Sequence, residues 1–172
     1  MQKLVLVIDQ LYICLVMKVI FLDFDGVMDT VYYIAELIRE HKPRFDSFGM
    51  VFDPYCIENL RKIIDQTGAK IVVSSTWKDS MSFEEILEMW RQRNLPGIVI
   101  GTTPTYDNKA RGYEIDTWLD ECDEKCQYVI INDLEAYNFT ERQIPHLLVV
   151  NQYIGLDDLT AERAILILNH GI

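Results

Sequence analysis

Three apolar runs in this chain end in groups that could do chemistry. VIFLDFDGVMDT, residues 19–30, closes on Asp23 and Asp25 with Gly26 directly after them. AKIVVSS, 69–75, closes on Ser74 and Ser75, and QYVIIND, 127–133, on Asn132 and Asp133. Carboxylates held close together repel and need a cation. Oxygen donors favour Mg2+ over a softer metal. Acids, Mg2+ and hydroxyls together suit a phosphoryl group, because the metal neutralises charge, hydroxyls and backbone N–H groups hold oxygens, and a carboxylate can attack phosphorus. Gly26 lets the backbone turn sharply beside the acids and approach a ligand.

The elements that must position these groups alternate between strand and helix. Residues 18–23, 69–75 and 127–133 are continuous apolar runs of strand length, the pattern of strands buried on both faces. HLLVV, 146–150, is a fourth such strand, and GIVI, 97–100, a short one. Residues 54–67 read as a helix capped by Asp53, with Pro54 in its first turn, Ile57, Leu60, Ile63 and Ile64 on one face, and Gly68 as its stop. Residues 82–93 form a helix with Ser82 and Glu85 set as a capping box. Residues 112–121 form another, with Ile115, Trp118 and Leu119 inward, and 157–168 a last one. The class is therefore α/β, a Rossmann-like three-layer sandwich with a mainly parallel sheet. In such a sheet ligands gather at the carboxyl ends of the strands, where neighbouring ends would bring the acids and hydroxyls together.

At 172 residues, 49% hydrophobic and 25% charged, the chain fits one soluble domain. Its formal net charge of -11 repels nucleic acid and anionic membrane at long range. Residues 1–16 are too short and too polar to span a bilayer and carry no cleavage site for secretion, so the chain is expected in the cytoplasm, away from membrane. Met17 begins the first strand directly. Residues 1–16 read as an N-terminal extension and 17–172 as a single domain, with an extra edge strand KLVLVI as the other reading. Cys122 and Cys126, spaced i,i+4, lack the partners of a zinc site and read as half-buried thiols.

FLDFDGVMDT resembles the first motif of the haloacid dehalogenase (HAD) superfamily, hhhhDxDG. KIVVSS resembles its second motif and YVIIND its fourth, in the right order over about residues 18–135. VVSSTW followed by RGYEIDTWL is similar to the HAD domains of Swiss-Army-knife RNA-repair type. The resemblance implies a Mg2+-dependent phosphatase. Asp23 would be the nucleophile and a metal ligand. Asp25 would be the general acid/base, with its backbone carbonyl on the metal, and Asp133 the third ligand. Ser74 or Ser75 would hold the phosphoryl group, and because side chains alternate along a strand only one of them faces the site in regular geometry. Arg111 or Lys109, in DNKARGYEI, would be the phosphate-side cation. An acid at position 25 points to a phosphatase or phosphomutase. Asn132 departs from the two acids common in the fourth motif and is the one feature favouring a catalytically silent, phosphate-binding or regulatory module.

Between the first and second motifs about 48 residues leave no room for a full cap domain, and 31–52 is at most a short lid. An open site admits a phosphorylated small molecule or a polynucleotide end. Asp29 is expected at the surface or as a helix cap. Trp77, Trp90 and Trp118 are read as packing groups. Arg39, Lys42 and Arg44 are read as a solvated loop.

Overall fold

The computed structural model describes residues 16–123 and 125–171. The expected extension at 1–16, with its possible edge strand, lies outside the described residues but for residue 16. Five strands form the sheet: β1 (Met17–Leu22), β2 (Lys70–Val73), β3 (Val99–Thr102), β4 (Cys126–Asn132) and β5 (Leu147–Val149). Their order is β3-β2-β1-β4-β5 and every pairing is parallel. β1 is central because its residues from Val19 onward are fully buried on both faces.

Alternation along β1 divides the core. Ile20 and Leu22 pack on one side, against α2 (Pro54–Thr67), α3 (Phe83–Gln92) and α5 (Asp158–His170). Val19 and Phe21 pack on the other, against Ile115, Trp118 and Leu119 of α4 (Arg111–Glu121). Each fully buried aliphatic or aromatic side chain here stabilises the fold by roughly 1.5–3 kcal/mol. The helices on both faces make the three layers expected of the sequence. No full cap domain interrupts them: between β1 and β2 lie α1 (Val31–Arg39), a bridge pairing Phe45 with Met50, and α2.

The local signals act as written. Asp53 accepts from Tyr55 N–H at the start of α2, and Gly68 ends that helix in the left-handed region at φ 66°. Ser82 and Glu85 form the capping box of α3. Two strands differ most from expectation: β2 stops at Val73 rather than running to 75, and β3 runs 99–102 rather than 97–100. Gly97 is still turning at φ 82°, with Ile64 and Ile71 packed where a side chain would go, and the register with β2 shifts between Ile71 and Val72. No helix among the described residues is long and apolar enough to cross a membrane.

Candidate functional site

The register sets the site. Leu22 pairs with Val73 on one side and Ile131 on the other, so Asp23, Ser74 and Asn132 emerge level from three adjacent strands. The ladder continues one step further: Asp23 N–H donates to Ile131 O at 3.1 Å and Ser74 N–H to Leu22 O at 2.8 Å.

Asp23 is 5% exposed, and its Oδ1 accepts from Phe24 N–H at 2.7 Å. Burial pushes its pKa up to about 6, and the charge of Asp133 adds to the rise; Arg111, the Ser75 hydroxyl and the Phe24 N–H oppose it. Asp133 is half-buried and also raised, first by burial and then by the charge of Asp25, against which Arg111 acts. Gly26, at φ 69°, is what lets Asp133 in: a Cβ there would stand 2.5 Å from Asp133 Oδ2. Asp25 is exposed and held from β2's side, its Oδ1 accepting from Trp77 Nε1 at 2.9 Å and its Oδ2 from Thr76 Oγ1 at 3.3 Å.

Both serines are fully buried. Regular strand geometry stops at Val73, so the alternation expected to choose between them ceases there. Ser74 is level with Asp23, and its Oγ has no hydrogen-bond partner among the described residues. Ser75 lies within hydrogen-bonding reach of the Asp23 carboxylate and also caps the short turn at Thr76–Asp79.

The two candidate cations separate. Lys109 is exposed, with its Nζ 5.0 Å from the centre of the Tyr113 ring. Arg111 has a side chain 8% exposed, donates to Glu114 Oε2 at 2.8 Å, and acts on the charges of Asp23 and Asp133. A third cation, unforeseen from the sequence, stands behind it. Lys78 is 3% exposed at its side chain and reaches Glu114 Oε2 at 3.3 Å, Asp79 Oδ1 at 3.1 Å and Thr105 Oγ1 at 2.9 Å. Buried Glu114 thus ties together Lys78 and Arg111.

Asp29 is neither at the surface nor a cap. It is 6% exposed, its Oδ1 accepts from Gly26 N–H at 2.9 Å, and Thr30 caps α1 in its place. Burial pushes its carboxyl up to about 7; the Gly26 N–H works against this, while Asp25 and Asp23 add to it. Trp77 does more than pack, since it grips Asp25, whereas Trp90 donates to Pro96 O and Trp118 meets Phe21 edge-on. Asn132 turns inward to the backbone, accepting from Leu134 N–H at 2.9 Å. Its amide shapes the turn that delivers Asp133. Arg39, Lys42 and Arg44 stay exposed; Arg39 and Lys42 pair with Glu36 and Glu40, and Arg44 lies over Phe45.

Buried polar groups are normally satisfied. Five of the seven buried side-chain polar atoms without a partner among the described residues belong to Asp29, Ser74, Thr103, Arg111 and Asn132, all at this one edge of the sheet. Hydroxyl, guanidinium and amide donors with no acceptor suit an oxyanion. The carboxylates suit a hard cation. No three acidic, histidine or cysteine side chains among the described residues enclose a metal by themselves. Two carboxylates, Asp23 and Asp133, with a backbone carbonyl nevertheless meet the habit of Mg2+, which keeps several waters and takes one or two protein carboxylates. A groove of about 470 Å³ opens beside Asp25, Gly26 and Asp29. On the far side a polar cavity of about 350 Å³ is lined by Thr76, Lys109, Arg111 and Glu114.

Residues 19–161 match the family model described as the HAD domain in Swiss Army Knife RNA repair proteins. No curated protein and no solved structure matches the chain.

Proposed function

Because the chain belongs to the family of HAD domains in Swiss Army Knife RNA repair proteins, we propose that it is a Mg2+-dependent phosphomonoester hydrolase acting through an aspartyl-phosphate on Asp23. The observation that carries this reading is the level emergence of Asp23, Ser74 and Asn132–Asp133 from adjacent strands, with Arg111 coupled to both acids.

The Ser74 hydroxyl and the Arg111 guanidinium hold the phosphoryl oxygens, and Glu114, itself held by Lys78, fixes the guanidinium. Phe24 N–H keeps the Asp23 carboxylate in one orientation. Asp23 attacks phosphorus, the P–O ester bond breaks, and its electron pair leaves with the alcohol oxygen. Asp25 gives that oxygen a proton. Asp25, now a carboxylate, then takes a proton from water as the water attacks the aspartyl-phosphate, which returns Asp23 and releases inorganic phosphate. Trp77 and Thr76 keep Asp25 aimed through both steps. Asp23, Asp133 and the backbone carbonyl of Asp25 would hold Mg2+, which when bound supplies positive charge against the phosphoryl oxygens and the crowded carboxylates. The substrate is a phosphorylated small molecule or a polynucleotide end, met in the cytoplasm.

The test is phosphate release from 3'- and 5'-phosphorylated oligonucleotides, mononucleotides, sugar phosphates and an aryl phosphate, with Mg2+ and with EDTA. Release that needs Mg2+ and vanishes in Asp23→Asn supports the mechanism. A folded protein that binds phosphate or Mg2+ but releases nothing would assign the fold to a phosphate-binding or regulatory module instead.

A further inference from the structure

Of the residues lining the groove beside Asp25, Asp25 alone acts in the chemistry above. One wall is α1, which contributes Val31, Ile34, Ala35 and Ile38, and Met50 also lines the groove. These four positions follow i, i+3, i+4, i+7, the apolar stripe a helix normally sets against a core. Here the buried residue of α1 is Leu37, while Val31 is 43% and Ile38 52% exposed. Gln152 supplies one amide at the rim. Its segment is tied to the helix start, since Val31 N–H donates to Gln152 O and Tyr32 N–H to Tyr153 O.

Two features identify what fits. The first is continuity. Asp25, Gly26 and Asp29 line the groove, so it adjoins the carboxyl that protonates the ester oxygen and can receive what that oxygen carries. The second is charge. Among the described residues, the ionisable groups lining the groove are the carboxyls of Asp25 and Asp29, and no lysine or arginine lines it. A second phosphate next to the reacting one would meet acids, whereas an uncharged ring would meet aliphatic side chains. A mostly apolar pocket of a few hundred Å³ with few polar groups is the usual form of a small-molecule site.

Building on the phosphatase reading, we propose that the groove binds the leaving group, and that the substrate is a free monophosphate whose alcohol part is an uncharged, largely apolar ring system of about nucleoside size. A polynucleotide end does not meet this description, because its next phosphodiester would fall against Asp25 and Asp29.

The experiment compares kcat/KM for a naphthyl phosphate, a nucleoside 5'-monophosphate, ribose 5-phosphate and a 5'-phosphorylated oligonucleotide, in wild type and in Ala35→Trp, which fills the groove. Binding of naphthyl phosphate to Asp23→Asn, with and without Ala35→Trp, is measured by calorimetry as a readout free of turnover. Wild type is expected to favour the ring monophosphates by roughly tenfold or more over ribose 5-phosphate. Ala35→Trp is expected to bring that ratio within about twofold of one and to weaken naphthyl phosphate binding about tenfold. Mg2+-dependent release that is best on the oligonucleotide or the sugar phosphate, or a ratio unmoved by Ala35→Trp, overturns the groove proposal and leaves the phosphatase reading standing. Groove-dependent binding without release from any compound overturns the phosphatase and supports the groove. Neither release nor binding overturns both.

Discussion

Trp77 donates its indole N–H to Asp25 Oδ1 at 2.9 Å, from the turn after β2 to the loop after β1. The same ring packs edge-on to Phe24 and lies against Gly49, where a side chain would meet it at 2.9 Å. The proposed acid/base is therefore aimed by a half-buried residue that is itself packed against the core. Trp77→Phe keeps the ring and removes the donor. A hydrogen bond to a charged group is worth about 1.5–3 kcal/mol. The expected outcome is a fall in kcat of about tenfold or more with the fold retained, read from steady-state rates beside a melting curve.

Asp23 and Asp29 make a prediction about pH. Burial is the leading cause of both rises, to about 6 and about 7. Both groups hold a proton more tightly folded than unfolded, where a carboxyl titrates near 4. Between about pH 4 and 7 the folded state binds more protons, so metal-free stability falls as pH rises through that window. For Asp23 alone the loss is about 2 kcal/mol, taking each pKa unit as about 1.4 kcal/mol and discounting for relaxation. Melting curves in EDTA should show a lower Tm at pH 7.5 than at pH 5, with a flatter profile in Asp23→Asn. Saturating Mg2+ should raise Tm at pH 7.5. A metal-free Tm that climbs from pH 5 to 7.5 equally in both proteins would contradict the assignment.

The two serines should part company. Ser74 Oγ is buried without a partner among the described residues, a condition that costs stability until a ligand accepts from it. Ser74→Ala is expected to leave Tm unchanged or slightly higher while weakening inhibition by inorganic phosphate about tenfold. Ser75→Ala removes a group that lowers the Asp23 pKa, so it should move the acid limb of the kcat/KM profile to higher pH. Phosphate inhibition constants and pH profiles of the two variants decide the matter.

Arg111 and Lys109 differ by surroundings rather than by charge. Arg111 is nearly buried and acts on Asp23, whereas Lys109 sits in solvent over Tyr113. Arg111→Met should lower kcat/KM by about a hundredfold or more, the scale seen when one preorganised group at a developing charge is removed. Lys109→Met should stay within about threefold. Comparable losses in the two variants would require Lys109 to swing into the site.

Gly26 tests the proposed metal site. Gly26→Ala places a Cβ in the left-handed region, 2.5 Å from Asp133 Oδ2, so the carboxylate must move. The backbone cost is about 1–2 kcal/mol. The expected result is a modest drop in Tm and an apparent Mg2+ affinity weakened by at least about tenfold, measured by activity against Mg2+ concentration and by Mg2+ titration of Tm.

Much of the fold and of the candidate site is legible in the sequence. β1, β2 and β4 are continuous apolar runs because each is buried on both faces, and that pattern also marks where they end. The caps of α2 and α3 are local, and local chemistry reads well. α1 was harder. Its stripe at Val31, Ile34, Ala35 and Ile38 has helical period, but Tyr32, Tyr33 and Val31 favour strand, and the stripe lines a groove instead of a core. β3 slid by two residues because Gly97 had to clear Ile64 and Ile71, a matter of packing. Asp29 looked like a cap because Thr30, the actual cap, stands next to it. The Lys78–Glu114–Arg111 chain was invisible because it joins the turn after β2 to α4, across residues with no common period. The choice between Arg111 and Lys109 likewise depends on burial, which two cations two residues apart at a helix start do not reveal.

The strand order has a consequence for the protein while it is being made. β1 emerges from the ribosome first and carries Asp23, yet one of its two partners in the sheet is β4, about one hundred residues later. Asp133 follows β4, and Arg111 precedes it by only one helix. A nascent chain stopped before that point holds half a sheet, with the flank of β1 unpaired and one carboxylate of the proposed metal pair missing. Such long-range pairing is slow to form. On the proposed mechanism, metal binding and chemistry wait until the second half of the chain has docked, and a fragment ending near residue 120 is expected to release no phosphate however well its first three strands assemble.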